Sequence, residues 1–285
     1  HLSWPIGWNR TTPYLEHAVF NSYQSETELL RYMRRLDARD LSLTTSMIPL
    51  GSCTMKLNGT AEMMPITWPE FSTTHPFAPV EQMGGYQRIF SELTDMLKDI
   101  TGMSGVSLQP NSGAQGEYSG LLAIRKYHES RNDTQRTICL VPASAHGTNP
   151  ATAAACGYIV DSIPADDRGR VDLAVFKEML GDDVAGIMIT NPNTCGLFEN
   201  DIIDIADAIH AVGGYFYCDG ANLNAIMGQV RPGDLGIDCM HINLHKTFST
   251  PHGGGGPGAG PTVLSAALAP FAPLPMVVHD EAGFR

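Results

Sequence analysis

Lys246 lies between an apolar run and a glycine cluster, in the stretch His241-Ile242-Asn243-Leu244-His245-Lys246-Thr247-Phe248-Ser249-Thr250-Pro251-His252, which leads into Gly253 to Gly256. The run Ile237 to Leu244 reads as a strand whose one charged side chain is Asp238. An amine held at a strand end beside a flexible loop loses solvation and becomes nucleophilic. Its natural chemistry is a Schiff base with an aldehyde. His245 and His252 flank the amine and are candidate proton carriers, together with Lys246 itself.

Four other strand ends carry residue types that complement such an amine. Gln109-Pro110-Asn111-Ser112-Gly113-Ala114-Gln115-Gly116 leads small residues into a helix, where backbone N–H groups and the helix dipole suit a phosphate. An ordinary strand-to-helix turn would have the same composition. The common nucleotide loops, G-x-x-x-x-G-K-[ST] and G-x-G-x-x-G, are absent. Pro142-Ala143-Ser144-Ala145-His146-Gly147 presents an imidazole able to stack on an aromatic ligand, or to serve as a structural hydrogen-bonding group. Asn191-Pro192-Asn193-Thr194-Cys195-Gly196 is a turn rich in amide and hydroxyl groups. Asp219-Gly220-Ala221-Asn222 follows an apolar run; a carboxylate there is costly to hold charged unless it meets a cation, although it could also cap the next turn. Taken together, an anion cradle, a stacking ring, a buried carboxylate and an imine-forming lysine match the needs of pyridoxal 5'-phosphate (PLP): phosphate binding, ring support, a partner for the pyridinium nitrogen and a carrier amine.

The elements that must position these groups alternate along the chain. Helical periodicity predicts helices over 86–101, 115–130, 148–156, 171–180 and 201–212. Short apolar runs predict strands over 106–109, 137–141, 158–163, 184–190, 215–218, 238–244 and 261–264. Such alternation implies a mostly parallel sheet covered on both faces, with ligands beyond the carboxyl ends of the strands. Residues 1–80 read as an irregular arm with one helix, opened by a capping box at Ser25-Glu26-Thr27-Glu28 and continued by Leu29, Leu30, Met33 and Leu36. The segment Met47 to Pro79 carries too many large apolar groups to stay solvated. The organisation expected is an arm over 1–80, a cofactor-binding domain over 81–270, and the start of a cut-off C-terminal region over 271–285.

The 285 residues suffice for one large domain or two modest ones, and 43% hydrophobic content supports a full core. A formal net charge of -12 argues against nucleic acid or an acidic membrane surface as a partner. No apolar run approaches the ~20 residues a membrane-spanning helix needs. The N-terminus lacks an initiator Met and a secretory pattern and reads as an internal cut. The six cysteines form no C-x-x-C pair, so no metal site is expected; reduced, mostly buried thiols suit a cytosolic or organellar-matrix compartment.

The strings MIPLGSCTMKLN, LQPNSGAQGEYSGLLAIRKYHESR, PASAHGTNPATAA, DGANLNAIMG and NLHKTFSTPHGGGGPG resemble the P-protein family, the glycine decarboxylases of the glycine cleavage system. The resemblance runs from about residue 11 to 270 and is to the lysine-bearing C-terminal half, or to subunit 2 of the two-subunit form. TNPNT-x-GLFE looks closer to subunit 2, and Met47 to Pro79 resembles the single-chain form.

The resemblance implies an α/β, fold-type I PLP enzyme with a seven-stranded, mostly parallel sheet and a small C-terminal domain largely missing here. It implies that Lys246 carries the cofactor, Asp219 pairs with the pyridine nitrogen and His146 stacks on the ring. Ser112, Gly113 and Ala114 fall where the phosphate cradle would be, Asn222 near the ring hydroxyl, and Thr194 and Thr247 where phosphate or ring contacts would be. Cys195 departs from the aliphatic residue or His expected in that loop. The implied activity is decarboxylation of glycine with transfer of the aminomethyl group to the lipoyl group of H-protein. The implied partners are the other half or subunit of a P-protein, in a dimer or heterotetramer, in a bacterial cytoplasm or a mitochondrial matrix. The segment Met47 to Asn58 is the expected wall of a glycine pocket. Another fold-type I PLP decarboxylase or lyase, or a silent partner subunit, is the alternative.

Overall fold

The computed structural model describes residue 5, residues 7–39, 59–251 and 258–274, and the backbone of 279–280 and 283–284. His252, the glycines at 253–256, Cys53 and the proposed wall at 47–58 lie outside the described residues. The chain divides into two units, His1–Ser52 and Cys53–Arg285.

The first unit carries helix α1 (Glu26–Asp37). Its start follows the capping box: the Ser25 hydroxyl accepts from the Glu28 N–H, and Ser25 Oγ also lies 3.0 Å from the Glu28 carboxylate. The rings of Tyr23 and Tyr32 stack at 4.2 Å, and Arg35 donates to the Tyr23 hydroxyl at 2.6 Å. The apolar stripe of Leu29, Leu30, Met33 and Leu36 is exposed.

In the second unit two helices of a single turn, α2 (Thr60–Met63) and α3 (Pro69–Ser72), precede α4 (Gly84–Thr101). Each is four residues long, too few to show a helical period in a segment whose sequence reads as irregular. Then come β1 (Gly105–Ser107), α5 (Gly113–Ser130), β2 (Ile138–Pro142), α6 (Thr148–Ala155), β3 (Ile159–Ile163), α7 (Leu173–Glu178), β4 (Val184–Thr190), α8 (Ile202–Ala211), β5 (Tyr215–Gly220), β6 (Cys239–Ile242), α9 (Leu244–Thr247) and β7 (Thr262–Leu264). A two-residue pair, β8 (His279–Asp280) and β9 (Gly283–Phe284), follows where no closing element was expected.

The seven strands form one sheet in the order β1-β7-β6-β5-β4-β2-β3. All neighbours are parallel except β7, which runs antiparallel to β1 and β6. The seven-stranded, mostly parallel α/β architecture is therefore the one expected from the sequence. Successive residues of β4 serve opposite cores, as the pleat requires. Ile187 and Ile189 join Leu97 of α4, Phe176 of α7 and Ile205 and Ile209 of α8 on one face. Met188 joins Leu121 and Ile124 of α5 and Ala153 of α6 on the other.

Helix α5 lies unusually close to the sheet. A Cβ on Gly116 would come 2.6 Å from both the Gly260 carbonyl and the His241 Cβ, and one on Gly120 would come 2.6 Å from the Cys239 Sγ. This close approach brings the N-terminus of α5 onto β6, and with it the predicted phosphate cradle beside the lysine-bearing turn. Among the described residues no helix is long and apolar enough to cross a membrane.

Candidate active site

The carboxyl ends of β4, β5 and β6 are abreast: Thr190 pairs in register with Asp219, and Asp219 with His241. Asp219 is the last side chain of β5 rather than the first of a loop, and it is 2% exposed. Gly220 permits this, because a side chain there would run into the His241 carbonyl of β6. Burial alone would raise the Asp219 pKa. The opposing effects win: His241, the Asn149 amide at 3.0 Å, the Ala221 N–H at 2.9 Å and the charge of Lys246 hold the carboxyl below its usual value.

Lys246 occupies α9, a single helical turn opened by Asn243, instead of extending the strand. Its N–H bonds the Asn243 carbonyl at 2.9 Å. His245 is 5% exposed, its Nδ1 accepts from the Ala259 N–H at 3.1 Å, and the Asn243 amide lies 3.4 Å from its Nε2. The ring thus braces the strand that returns as β7. Beyond Lys246, the Ser249 hydroxyl donates to the Glu62 carboxylate, which also accepts from the Gly59 N–H at 3.3 Å. The first described residues after the proposed wall are thereby tied to the lysine loop.

Ser112 caps α5, its hydroxyl accepting from the Gln115 N–H at 3.2 Å. Gly113 and Ala114 supply first-turn N–H groups, which have no partner within a helix. Gly113 also lies against Asn243, whose amide nitrogen would be 2.5 Å from a Cβ there. His146 is exposed, with Nδ1 2.8 Å from the Thr148 hydroxyl. Asn222 donates to the Pro192 carbonyl at 3.2 Å, and Thr194 donates to the Ser144 carbonyl. Thr194 and exposed Cys195 belong to a turn tied by Asn193, whose side-chain oxygen accepts from the Cys195 and Leu197 N–H groups. Burial pushes the Cys139 and Cys218 thiols up to about 12, so these two are packing groups at neutral pH.

Two residues that sequence reasoning did not assign belong to the same place. Glu117 of α5 is 3% exposed and His241 1%. A carboxylate oxygen of Glu117, one of Asp219 and a ring nitrogen of His241 lie within 4.8 Å of one another. The alternation His241, Asn243, His245, from the end of β6 into α9, was the available signal for His241. Nothing in the local sequence marks Glu117, whose burial follows from the glycines on either side of it.

The set fits PLP on its chemistry. Thr190 Oγ1, Asn191 Nδ2, Thr247 Oγ1, Asn149 Oδ1 and Glu117 Oε2 are buried side-chain atoms without a hydrogen-bond partner, all from segments at this end of the sheet. Buried polar atoms left unpaired are costly, and a polar ligand relieves that cost. A buried carboxylate held ionised, a nearby lysine and a helix N-terminus complete the requirements.

The family model for aminotransferase class-V matches residues 115–256. The sequence is 58% identical over 277 residues to the glycine dehydrogenase (decarboxylating) of Thermosynechococcus vestitus, covering 96% of this chain and 29% of that protein. It is 57% identical over 280 residues to the same enzyme of Bordetella avium, covering 97% of this chain and 29% of that protein. Over nearly its whole length this chain is homologous to one segment of glycine dehydrogenase (decarboxylating). It spans 29% of the length of these relatives. The fold agrees with that of a glycine decarboxylase (P-protein) of the glycine cleavage system solved in inhibitor-bound form: TM-score 0.69, 24% identity, 99% of this chain and 60% of that one. It also agrees with the Burkholderia pseudomallei sphingosine-1-phosphate lyase: TM-score 0.66, 16% identity, 98% of this chain and 66% of that one.

Proposed function

We propose that this chain is the lysine-bearing part of a PLP-dependent glycine decarboxylase. The observation that carries the reading is Asp219, a carboxylate 2% exposed yet held below its usual pKa at a strand end shared with the Lys246 turn. When bound, PLP supplies an aldehyde that captures an amine and a protonated ring that accepts the electron pair left by departing carbon dioxide.

Lys246 is the amine that would hold the cofactor. Asp219 keeps the pyridine nitrogen protonated, with His241, Asn149 and the Ala221 N–H keeping Asp219 charged. The N–H groups of Gly113 and Ala114, with the Ser112 cap behind them, hold the phosphate. Thr247 supplies a further hydroxyl for phosphate or ring, and Thr194 and Asn222 line the neighbouring loop. His146 supports one face of the ring. Once displaced, Lys246 carries a proton within the cleft, and His245 and His252 are its alternates.

The aminomethyl product passes to the lipoyl group of H-protein, and the rest of a P-protein completes the assembly as a dimer or heterotetramer. Residues 81–270 form the cofactor-binding domain of that assembly. The bacterial relatives support a cytoplasmic setting.

In the full-length enzyme, Lys246→Ala should abolish the visible absorbance of bound PLP, borohydride trapping and the exchange of glycine's carboxyl carbon with carbon dioxide. Retention of absorbance and trapping would refute the assignment. Exchange on larger amino acids in preference to glycine would favour a different decarboxylase of the same fold.

A further inference from the structure

Glu117, Thr148 and His146 form a chain of hydrogen bonds that leads from the core to the cleft. The Thr148 hydroxyl is 2.8 Å from Glu117 Oε1 and 2.8 Å from His146 Nδ1. The Thr148 backbone N–H is 3.3 Å from the same Nδ1. With Glu117 ionised and His146 neutral, these contacts cannot all be hydrogen bonds at once. A hydroxyl has one proton, and a carboxylate accepts but does not donate. If that proton goes to Glu117, the hydroxyl can only accept from His146, so Nδ1 bears a proton and the backbone contact at 3.3 Å is not a hydrogen bond. If instead Nδ1 accepts from the backbone, the proton of the neutral ring is on Nε2, and Glu117 Oε1 or Nδ1 loses its hydroxyl contact.

The first arrangement keeps both 2.8 Å contacts, and burial favours it. Glu117 is 3% exposed, and its other oxygen is already buried without a partner. Losing the Thr148 proton would leave both carboxylate oxygens unpaired in the core, the more costly outcome. His146 is exposed, so water can meet any unmet need of its ring.

We propose that Glu117 is a positioning residue that sets the tautomer of His146 through the Thr148 hydroxyl. The neutral ring carries its proton on Nδ1 and presents the Nε2 lone pair on the side away from Thr148. Resting on the reading of this cleft as a PLP site, His146 is then a proton acceptor placed beside the reacting groups as well as a flat support. Both ends of the device lie in one neighbourhood: the carboxylate that orients His146 is within 4.8 Å of Asp219 and His241.

The test is the 15N shift pattern of His146 in the full-length enzyme labelled at histidine, without PLP, above the imidazole titration range. The expected wild-type pattern is Nδ1–H. Glu117→Ala and Thr148→Val should each move His146 to Nε2–H, and Thr148→Ser should retain Nδ1–H. If Glu117→Ala fails to fold, the two Thr148 variants decide the matter. A wild-type Nε2–H pattern, or an unchanged Nδ1–H pattern in folded Thr148→Val, overturns the inference. Borohydride trapping on Lys246, after the same preparations are loaded with PLP, keeps the outcomes separate: trapping without the tautomer change sinks only the relay, and a tautomer change without trapping sinks only the cofactor reading.

Discussion

The β5–β6 pair carries an aspartate–histidine contact at each end, and the two differ in almost every physical respect. At the carboxyl end, Asp219 and His241 are 3.4 Å apart with side chains 3% and 2% exposed. At the opposite end, Asp238 and His210 are 2.7 Å apart with side chains 15% and 38% exposed. The shorter contact is the less demanding one, because water screens it and solvates both groups. Asp238 also accepts from the Phe216 N–H at 2.8 Å, so it serves the sheet. The buried pair depends on neighbours: Tyr217 OH is 2.6 Å from His241 Nδ1, and the Asn243 side-chain oxygen 2.9 Å from Nε2. With Asp219 and Asn243 accepting at Nε2, that nitrogen bears a proton, and in the neutral ring Nδ1 accepts from the tyrosine. Thus one end of the sheet holds a contact that steadies the fold. The other holds a carboxylate kept charged in a dry place, beside the turn that carries Lys246.

Removing the buried carboxylate should have the larger effect. Asp219→Ala in the full-length enzyme should lower PLP affinity and glycine carbon dioxide exchange by on the order of 10²-fold or more, as expected on truncating one partner of a buried charged pair. Undiminished exchange would make the two ends equivalent. Tyr217→Phe removes the hydroxyl that His241 relies on, at about 1–3 kcal/mol for the unsatisfied buried nitrogen. PLP titration should show roughly tenfold weaker binding, with Asp219 in place.

Asp238→Asn should do least. Asp238 raises the His210 pKa above the ordinary 6.5, chiefly by direct hydrogen bonding. The contact therefore stabilises fully below about 6.5 and fades as pH rises through the raised folded value. Denaturation midpoints should show the variant weaker by about 0.5 kcal/mol at mildly acidic pH and indistinguishable in alkali. The sign is opposite for Asp219, whose lowered pKa gives stability present above its ordinary 3.8 and lost as pH falls through the lower folded value. A common pH trend for both pairs would break the comparison.

Sequence reading served the two ends unequally. Strand Val184–Thr190 coincides with the observed β4 because seven buried apolar and small residues end at a turn. Helix α5 begins at Gly113, two residues before the periodic pattern becomes visible, since glycines contribute no apolar signal. The residues whose chemistry follows a strand, Asp219 and Lys246, were legible from that position. The groups that condition them were not. His241, Tyr217 and Glu117 are polar residues facing inward, and the contacts His241–Asp219, Tyr217–His241 and Glu117–Thr148 join positions 22 or more apart along the chain. Only the register of β5 on β6, and the glycine-permitted approach of α5, brings them together.

The most direct measurement is borohydride reduction of the full-length enzyme loaded with PLP, followed by peptide mapping. The account predicts a reduced pyridoxyl group on Lys246 alone, diminished in Asp219→Ala and untouched in Asp238→Asn. A label on another lysine, or none, would contradict the assignment of this end of the sheet as the cofactor site.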